Sequence, residues 1–259
     1  MDLGIGGKRA LITGGGRGIG AGIAQALADE GVRVAVVSRT LADVEETCER
    51  IGGVRAGHLP IEMDLLPEGA PAALVAELER SGFGRPEIVI HNLGGTLDLS
   101  DPFCSVEDWR KVWRFNLEVA VELNLLLVPP MQAHKWGRVV HISSISAVEN
   151  HGPVPYCSVK AALTAYARSM GRVVAPDGVI MTAVLPGAVM TDGGYWDVAS
   201  HERPDHVERY LADRMAIHRF GTLDEVSRLV AFLCSEYAGF CVGSIMPVDG
   251  GQGRSFFGQ

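Results

Sequence analysis

Tyr156 and Lys160 stand four residues apart in the segment VPYCSVKAALT, where Ala161, Ala162 and Leu163 favour a helix. In a helix that spacing puts both side chains on one face, so a hydroxyl lies beside an ammonium. A phenol of ordinary pKa, about 10, exchanges protons poorly at neutral pH. A neighbouring positive charge favours the phenolate and lowers that value toward the working range. The pair therefore predicts a proton donor and acceptor at Tyr156, tuned by Lys160. Upstream, Val139, Val140 and Ile142 read as a buried strand that ends at Ser143 and Ser144. Open α/β sheets bind their ligands at that edge. A Tyr-x-x-x-Lys pair also arises by chance on solvated helices, so it carries weight only if the same chain supplies a dinucleotide site.

Residues 9–13, RALIT, are an apolar run that leads into the turn Thr13-Gly14-Gly15-Gly16-Arg17-Gly18-Ile19-Gly20. Ile19, Ile23 and Leu27 follow at helical spacing. Strand, turn and helix in that order aim backbone N–H groups and the positive end of a helix dipole at one place, which suits a pyrophosphate. Glycine is needed there so that backbone can approach phosphate and helix can pack on strand. The choice of dinucleotide is expected at the end of the second strand, 32–37, where NAD sites place a carboxylate against the ribose hydroxyls. This chain has Ser38 and Arg39 there, with Arg17 in the glycine turn. A hydroxyl and two guanidinium groups suit a 2′-phosphate. The expected cofactor is NADP(H), with NAD(H) the lesser choice.

The elements that must position these residues follow in order. VRVAVV (32–37) is almost wholly apolar, as a parallel strand covered on both faces requires. Thr40 and Asp43 are placed to cap the next helix. Leu59, Ile61 and Met63 alternate as a strand, and Pro60 inside it assigns that strand to the sheet margin. Then come a helix near 71–80, a strand at 87–92 and a long helix from about Ser105 to Leu127. The strand 138–142, the helix bearing Tyr156 and a strand at 179–185 follow, with Pro186-Gly187 at its end. A helix with Leu223, Val226, Leu229 and Leu233 and a strand at 245–248 complete the series. Strands alternating with helices predict an α/β fold: a doubly wound parallel sheet in a three-layer α/β/α arrangement, strand order 3-2-1-4-5-6-7. Residues 1–259 read as a single domain.

The totals exclude several classes. A chain of 259 residues with 47% hydrophobic content can bury one sizeable core. A formal charge of −8 offers no stripe for phosphate backbones, so no nucleic-acid partner is expected. The most apolar run, 123–131, is interrupted by Asn124 and too short to span a bilayer. With no signal-peptide layout at the N-terminus, the expectation is no membrane and a cytoplasmic location. Five Cys without a CxxC pair suit buried thiols in a reducing compartment. His201 and His206 are five apart and share no helix face, so no metal site is expected.

With a glycine turn, a Tyr-x-x-x-Lys helix and a strand-end serine, the sequence resembles the short-chain dehydrogenase/reductase family nearly end to end. The family's TGxxxGxG pattern falls on Thr13, Gly14, Gly18 and Gly20, its adenine-side acid on Asp64 and its mid-helix Asn on Asn116. Its Pro-Gly falls on Pro186 and Gly187, the following threonine on Thr191, and its C-terminal pattern on Val248-Asp249-Gly250-Gly251. The resemblance implies a Rossmann fold and an oxidoreductase that exchanges hydride between NADP(H) and a carbonyl or secondary alcohol. The substrate range it implies includes 3-oxoacyl thioesters, polyols, sugars and steroids. It gives Ser144 the role of holding the substrate oxygen and Tyr156 that of passing it a proton. Lys160 would lower the Tyr156 pKa and bond the ribose hydroxyls, and Asn116 would anchor a relay water. The implied cofactor contacts add Gly16, Ile19, Leu65, Asn92, Leu93, Gly94 and Val189 to those above, together with Tyr156 and Lys160.

There are departures. His91 and Leu93 stand where the family has other residues, while Asn92 and Gly94 keep its pattern. Ser143 has the family's commonest spacing to Tyr156 by count, yet would face the wrong side of the strand end, so Ser144 is preferred. Residues 190–218 stand where the family carries a variable lid, with Gly193-Gly194 as a hinge beside Tyr195 and Trp196. Glu149, Asn150 and His151 are expected to face the pocket. Surplus apolar positions, Trp113, Val119, Val121 and Leu125, imply a partner surface, and the family's habit implies a homotetramer. Two other readings are non-redox proton chemistry, such as dehydration or epimerisation, and a non-catalytic NADP(H) sensor. The set Ser144, Tyr156, Lys160 and Asn116 argues against the sensor, which needs no proton relay.

Overall fold

The structure is a computed structural model and describes residues 2–150 and 152–255. Seven strands, β1 (Arg9–Thr13), β2 (Arg33–Ser38), β3 (Leu59–Glu62), β4 (Ile88–His91), β5 (Gly137–Ile142), β6 (Val179–Pro186) and β7 (Ile245–Val248), form one sheet in the order 3-2-1-4-5-6-7. Every pairing is parallel. All carboxyl ends therefore meet at one edge. The interior strands are hydrophobic throughout because both faces are covered. Ile12, Val36, Ile90 and Val140 face α1 (Gly18–Asp29) and α9 (Leu223–Leu233). Leu11, Val37, Val89 and Val139 face α3 (Ala70–Arg80) and α5 (Val119–Ala133). β3 has only β2 as a neighbour, which leaves Pro60 at the margin its missing N–H requires.

Local signals mark the helix starts unevenly. Ser105 accepts the Asp108 N–H to begin α4 (Val106–Trp113), and Thr222 with Glu225 closes a reciprocal capping box on α9. Thr40 does stand at the start of α2 (Leu41–Arg50), but its side chain makes no capping bond. Instead the neighbouring Ser38 hydroxyl turns back to the Thr40 backbone, donating to its carbonyl at 3.2 Å. The long helix predicted from Ser105 to Leu127 runs further and is interrupted. A wide π turn, Arg114–Glu118, separates α4 from α5, and α5 continues to Ala133 through Pro129 and Pro130. Each proline removes one helical hydrogen bond. The carbonyls left over, four residues back, belong to the exposed Leu125 and Leu126, where water can serve them.

The remaining helices, α6 (Val154–Val174), α7 (Tyr195–Glu202) and α8 (Pro204–Arg214), stand after the ends of β5 and β6. None of the five cysteines is in a disulfide. Among the described residues no helix is long and apolar enough to cross a membrane. Of the surplus apolar positions on α4 and α5, Val119 belongs to the core, whereas Leu125 is 68% exposed. Leu123 is fully buried against the sheet. Leu123→Ala is expected to cost about 2–5 kcal/mol in urea unfolding, and a loss under about 1 kcal/mol would contradict this packing.

Candidate active site

Side chains alternate across a strand and its extension, and that sends the two serines after β5 to opposite sides. Ser143 is buried: its hydroxyl donates to the Lys160 carbonyl at 3.0 Å and accepts from Thr164 Oγ1 at 2.8 Å. It ties β5 to α6. Ser144 faces the other way, accepting the Ser146 N–H at 3.1 Å, on the side of the Tyr156 hydroxyl, whose proton affinity it lowers. Ser144 and Tyr156 share the wall of a cavity of about 1080 Å³. Tyr156 lies in the first turn of α6 because Pro153 and Pro155 start that helix beside the strand ends.

Lys160 sits one turn deeper and is only 3% exposed. Its Nζ donates to the Ile142 carbonyl at 3.0 Å, and no carboxylate among the described residues pairs with it. Over it lies Gly94: a Cβ there would come within 2.9 Å of Lys160 Nζ and 2.6 Å of Asn116 Oδ1. Asn116 belongs to the π turn, a feature that re-aims side chains and recurs at functional sites. Its Nδ2 donates to the carbonyls of Val112 and Gly95, both at 2.9 Å, and its Oδ1 accepts the Gly95 N–H at 3.0 Å. Asn116 thus fixes the segment that roofs the ammonium.

The electrostatics differ from the sequence-based expectation. Burial pushes the Tyr156 phenol up, against the opposing hydrogen bond from Ser144, while the Cys157 thiol adds to the rise. Burial also pushes the Lys160 ammonium down to about 7. Lys160 Nζ stands 5.6 Å from the centre of the Tyr156 ring and is committed to a backbone carbonyl. Desolvation of each group therefore outweighs their mutual attraction, and the phenol keeps its proton at neutral pH.

The glycine turn opens a second cavity, about 490 Å³, at the N-terminus of α1. Gly14, Gly16, Arg17, Gly18, Ile19, Ser38, Arg39, Asp64, Leu65, Asn92, Leu93, Gly94 and Thr191 line it, as do Asp43 and Phe115, which no sequence motif marks as cofactor contacts. The residues fit a dinucleotide. A Cβ at Gly16 would meet Ser38 Oγ at 2.8 Å, so only glycine leaves room beside the strand end. No carboxylate stands at Ser38 or Arg39 themselves, although Asp43 is one turn away. Thr13 and Gly20 act from beneath. The Thr13 hydroxyl accepts the N–H groups of Asn92 and Leu93, both at 3.2 Å, and Asn92 Nδ2 donates to the Gly14 carbonyl at 2.7 Å. At Gly20 a Cβ would lie 2.4 Å from that same carbonyl oxygen. Pro186 and Gly187 line the larger cavity instead, and Val189 lines neither, its backbone pairing with Gly221.

His91 does not face either cavity. It stacks on His141, its register partner on β5, at 4.7 Å, and bonds Asn124 Oδ1 at 2.8 Å, with burial holding it down to about 4. The larger cavity is walled by Tyr195, Trp196, His206, Arg209 and Tyr210 on α7 and α8, and by Gln252. Glu149 was expected there, but its carboxylate accepts the Arg254 N–H at 2.7 Å, and Asn150 is exposed away from the lining. His151 lies outside the described residues. His201 reaches Asp197 at 3.4 Å and His206 stacks on Trp196. No cluster of three or more metal-ligating side chains occurs among the described residues.

The Lys160 shift has a measurable sign. Below about pH 7 folded and unfolded chains both hold the Lys160 proton, so the burial penalty is complete. Between about 7 and 10.5 only the unfolded chain holds it, and the penalty fades as pH rises. Lys160→Met is expected to stabilise the ligand-free chain more at pH 6 than at pH 9, by a difference on the order of 2 kcal/mol. Equal effects in denaturant melts at the two pH values would contradict the buried ammonium.

Comparison with known proteins agrees with this geometry. Residues 14–252 match the family model described as Enoyl-(Acyl carrier protein) reductase. The chain is 33% identical over 257 residues to 3-oxoacyl-(acyl-carrier-protein) reductase FabG of Aquifex aeolicus, covering 97% of this chain and 100% of that one. It is 31% identical over 257 residues to L-xylulose reductase of Homo sapiens, covering 97% and 98%. The crystal structure of L-sorbose reductase from Gluconobacter frateurii, complexed with NADPH and L-sorbose, superposes with a TM-score of 0.90 at 29% identity, covering 99% and 100%. A 7α-hydroxysteroid dehydrogenase complexed with NADH and 7-oxo glycochenodeoxycholic acid gives a TM-score of 0.85 at 27% identity, covering 97% and 96%. The chain belongs to the short-chain dehydrogenase/reductase family and is an oxidoreductase built around a nicotinamide cofactor.

Proposed function

We propose that the protein is an NADP(H)-dependent reductase of ketones, or equally a dehydrogenase of the matching secondary alcohols. The observation that carries this reading is the Ser144–Tyr156 hydroxyl pair on the wall of the larger cavity with Lys160 buried behind it. A bound nicotinamide supplies the hydride. Ser144 holds the carbonyl oxygen by a hydrogen bond, and Tyr156 gives that oxygen its proton. A phenol held above its ordinary value enters the reaction protonated, which favours ketone reduction. Lys160 keeps donors for ribose hydroxyls, since only Ile142 among the described residues accepts from it and an ammonium has three N–H groups. Asn116 holds the Gly94-Gly95 segment against it.

Preference for NADP(H) rests on Arg17 and Arg39, both exposed at the mouth of the glycine cavity with Ser38 between them. No carboxylate among the described residues pairs with either arginine, which leaves both for a 2′-phosphate. The L-sorbose reductase structure holds NADPH, whereas the hydroxysteroid dehydrogenase structure holds NADH, so the choice is this chain's own. The segment 190–218, with α7 and α8, acts as the lid of the larger cavity. The chain is one catalytic domain, and the exposed Leu125 and Val173 on α5 and α6 belong to subunit contacts of a homotetramer.

A screen of ketones, 3-oxoacyl thioesters and sugars with NADPH, followed by nicotinamide absorbance, tests the activity. On any substrate found, Tyr156→Phe is expected to lower kcat at least about 10²-fold, with Ser144→Ala costing more kcat than Ser143→Ala. Turnover by Tyr156→Phe at the parent rate would overturn the assignment. Arg39→Asp is expected to shift kcat/KM from NADPH toward NADH, and an unchanged ratio would overturn the cofactor choice.

A further inference from the structure

Gln252 follows β7 in a short C-terminal segment and is 4% exposed. Its Oε1 accepts the Ala188 N–H at 2.9 Å. Only the carbonyl end of an amide can accept from an N–H, so this bond fixes which way the amide points. Nε2 is thereby directed at Tyr210, donating to its hydroxyl oxygen at 2.9 Å. The approach depends on Gly187, where a Cβ would lie 2.7 Å from Gln252 Oε1. Asp249 anchors the same segment by accepting the N–H groups of Gly251 at 3.1 Å and Gly253 at 2.8 Å.

The direction of that bond has a chemical consequence. A tyrosine oxygen that accepts from an amide still carries its own proton, and no acceptor among the described residues takes it. Burial pushes the Tyr210 phenol up, so the proton stays on at neutral pH. The ring is held against Trp196 with centroids 4.1 Å apart, and both rings line the cavity that contains Ser144 and Tyr156. An O–H that faces an open cavity with no protein acceptor is served by water, and a ligand oxygen can take that water's place.

Resting on the reductase reading above, we propose that Tyr210, oriented by Gln252, donates a hydrogen bond to a second oxygen of the substrate, away from the reacting carbonyl. The substrate class is then a ketone that bears a further hydroxyl or oxo group, in preference to a plain alkyl or cycloalkyl ketone. Gln252 is a positioning residue and Tyr210 a specificity-determining one.

The test uses cyclohexanone and its 2-, 3- and 4-hydroxy derivatives, titrated calorimetrically into the full chain with NADP+, so that binding is read without hydride transfer. At least one hydroxylated ring is expected to bind about tenfold tighter than cyclohexanone, as one recovered hydrogen bond allows. Tyr210→Phe is expected to abolish that preference, bringing the hydroxylated ring to the affinity of cyclohexanone for the same variant. Gln252→Glu is the discriminating variant. A carboxylate keeps the size of the side chain and accepts from both Ala188 N–H and Tyr210 O–H, so it preserves a structural latch but captures the proton meant for substrate. Loss of the preference in Gln252→Glu supports the proposal. Its survival in either variant, or its absence from the parent chain, overturns it. If the binding preference holds and NADPH is never oxidised, the reductase reading fails and the Tyr210 contact stands. If ketones are reduced and the parent chain shows no preference, the Tyr210 contact fails and the reductase reading stands.

Discussion

An ammonium buried with no carboxylate paired to it among the described residues is the constraint around which the carboxyl edge of the sheet is arranged. Among the described residues Lys160 has one accepting partner, the Ile142 carbonyl, in a place where desolvation disfavours its charge. Three features make the placement possible. Ser143 and Thr164 pin the backbone of α6 to the end of β5, so the lysine enters at a fixed height. The π turn delivers Asn116 to hold the Gly94-Gly95 strip in place. Glycine at 94 leaves free the volume that a Cβ would take from the Asn116 amide and the Lys160 ammonium. Each would be a weakness elsewhere: a widened helix turn, a flexible glycine and a buried polar cluster.

Burial acts oppositely on acids and bases, and this sets the proton inventory of the site. It raises the Tyr156 phenol and lowers the Lys160 ammonium, so both tend toward neutrality in the ligand-free chain. His91 and His141, stacked behind β4 and β5, are held neutral by the same effect, and the nearby Lys160 charge lowers His141 further. A neutral phenol is a proton donor in waiting, and an ammonium poised near neutrality gains most from new acceptors. Tyr156 lines the aromatic-walled chamber under α7 and α8, while the cavity over the glycine turn reaches Gly94, the residue that lies over Lys160.

Much of this was legible in the residues. Pro60 marked the edge strand, the glycine turn marked the start of α1, and period-two alternation placed Ser143 and Ser144 on opposite faces. These are local signals, set by one residue and its near neighbours. What stayed hidden depends on contacts between distant segments. The Lys160 effect on Tyr156 could not be signed without knowing how deeply each is buried. Glu149 was drawn away from the cavity by Arg254, 105 residues later. Gln252 reaches Tyr210 across 42 residues and Ala188 across 64, and no motif spacing encodes either contact. The interruption of the long helix also lacked a sequence mark, because a π turn needs no special residue type.

The most direct measurement is a carbon-13 NMR titration of the Lys160 ε-carbon in the ligand-free chain, assigned by comparison with Lys160→Met and read beside Lys8, Lys111 and Lys135. A midpoint near pH 7 for Lys160 is expected, while Lys111, whose hydrogen bond and ion pair with Asp108 hold its ammonium above the ordinary lysine value, titrates well above it. A Lys160 midpoint at the ordinary lysine value of about 10.4 would contradict the buried, carboxylate-free ammonium and the proton arrangement built on it.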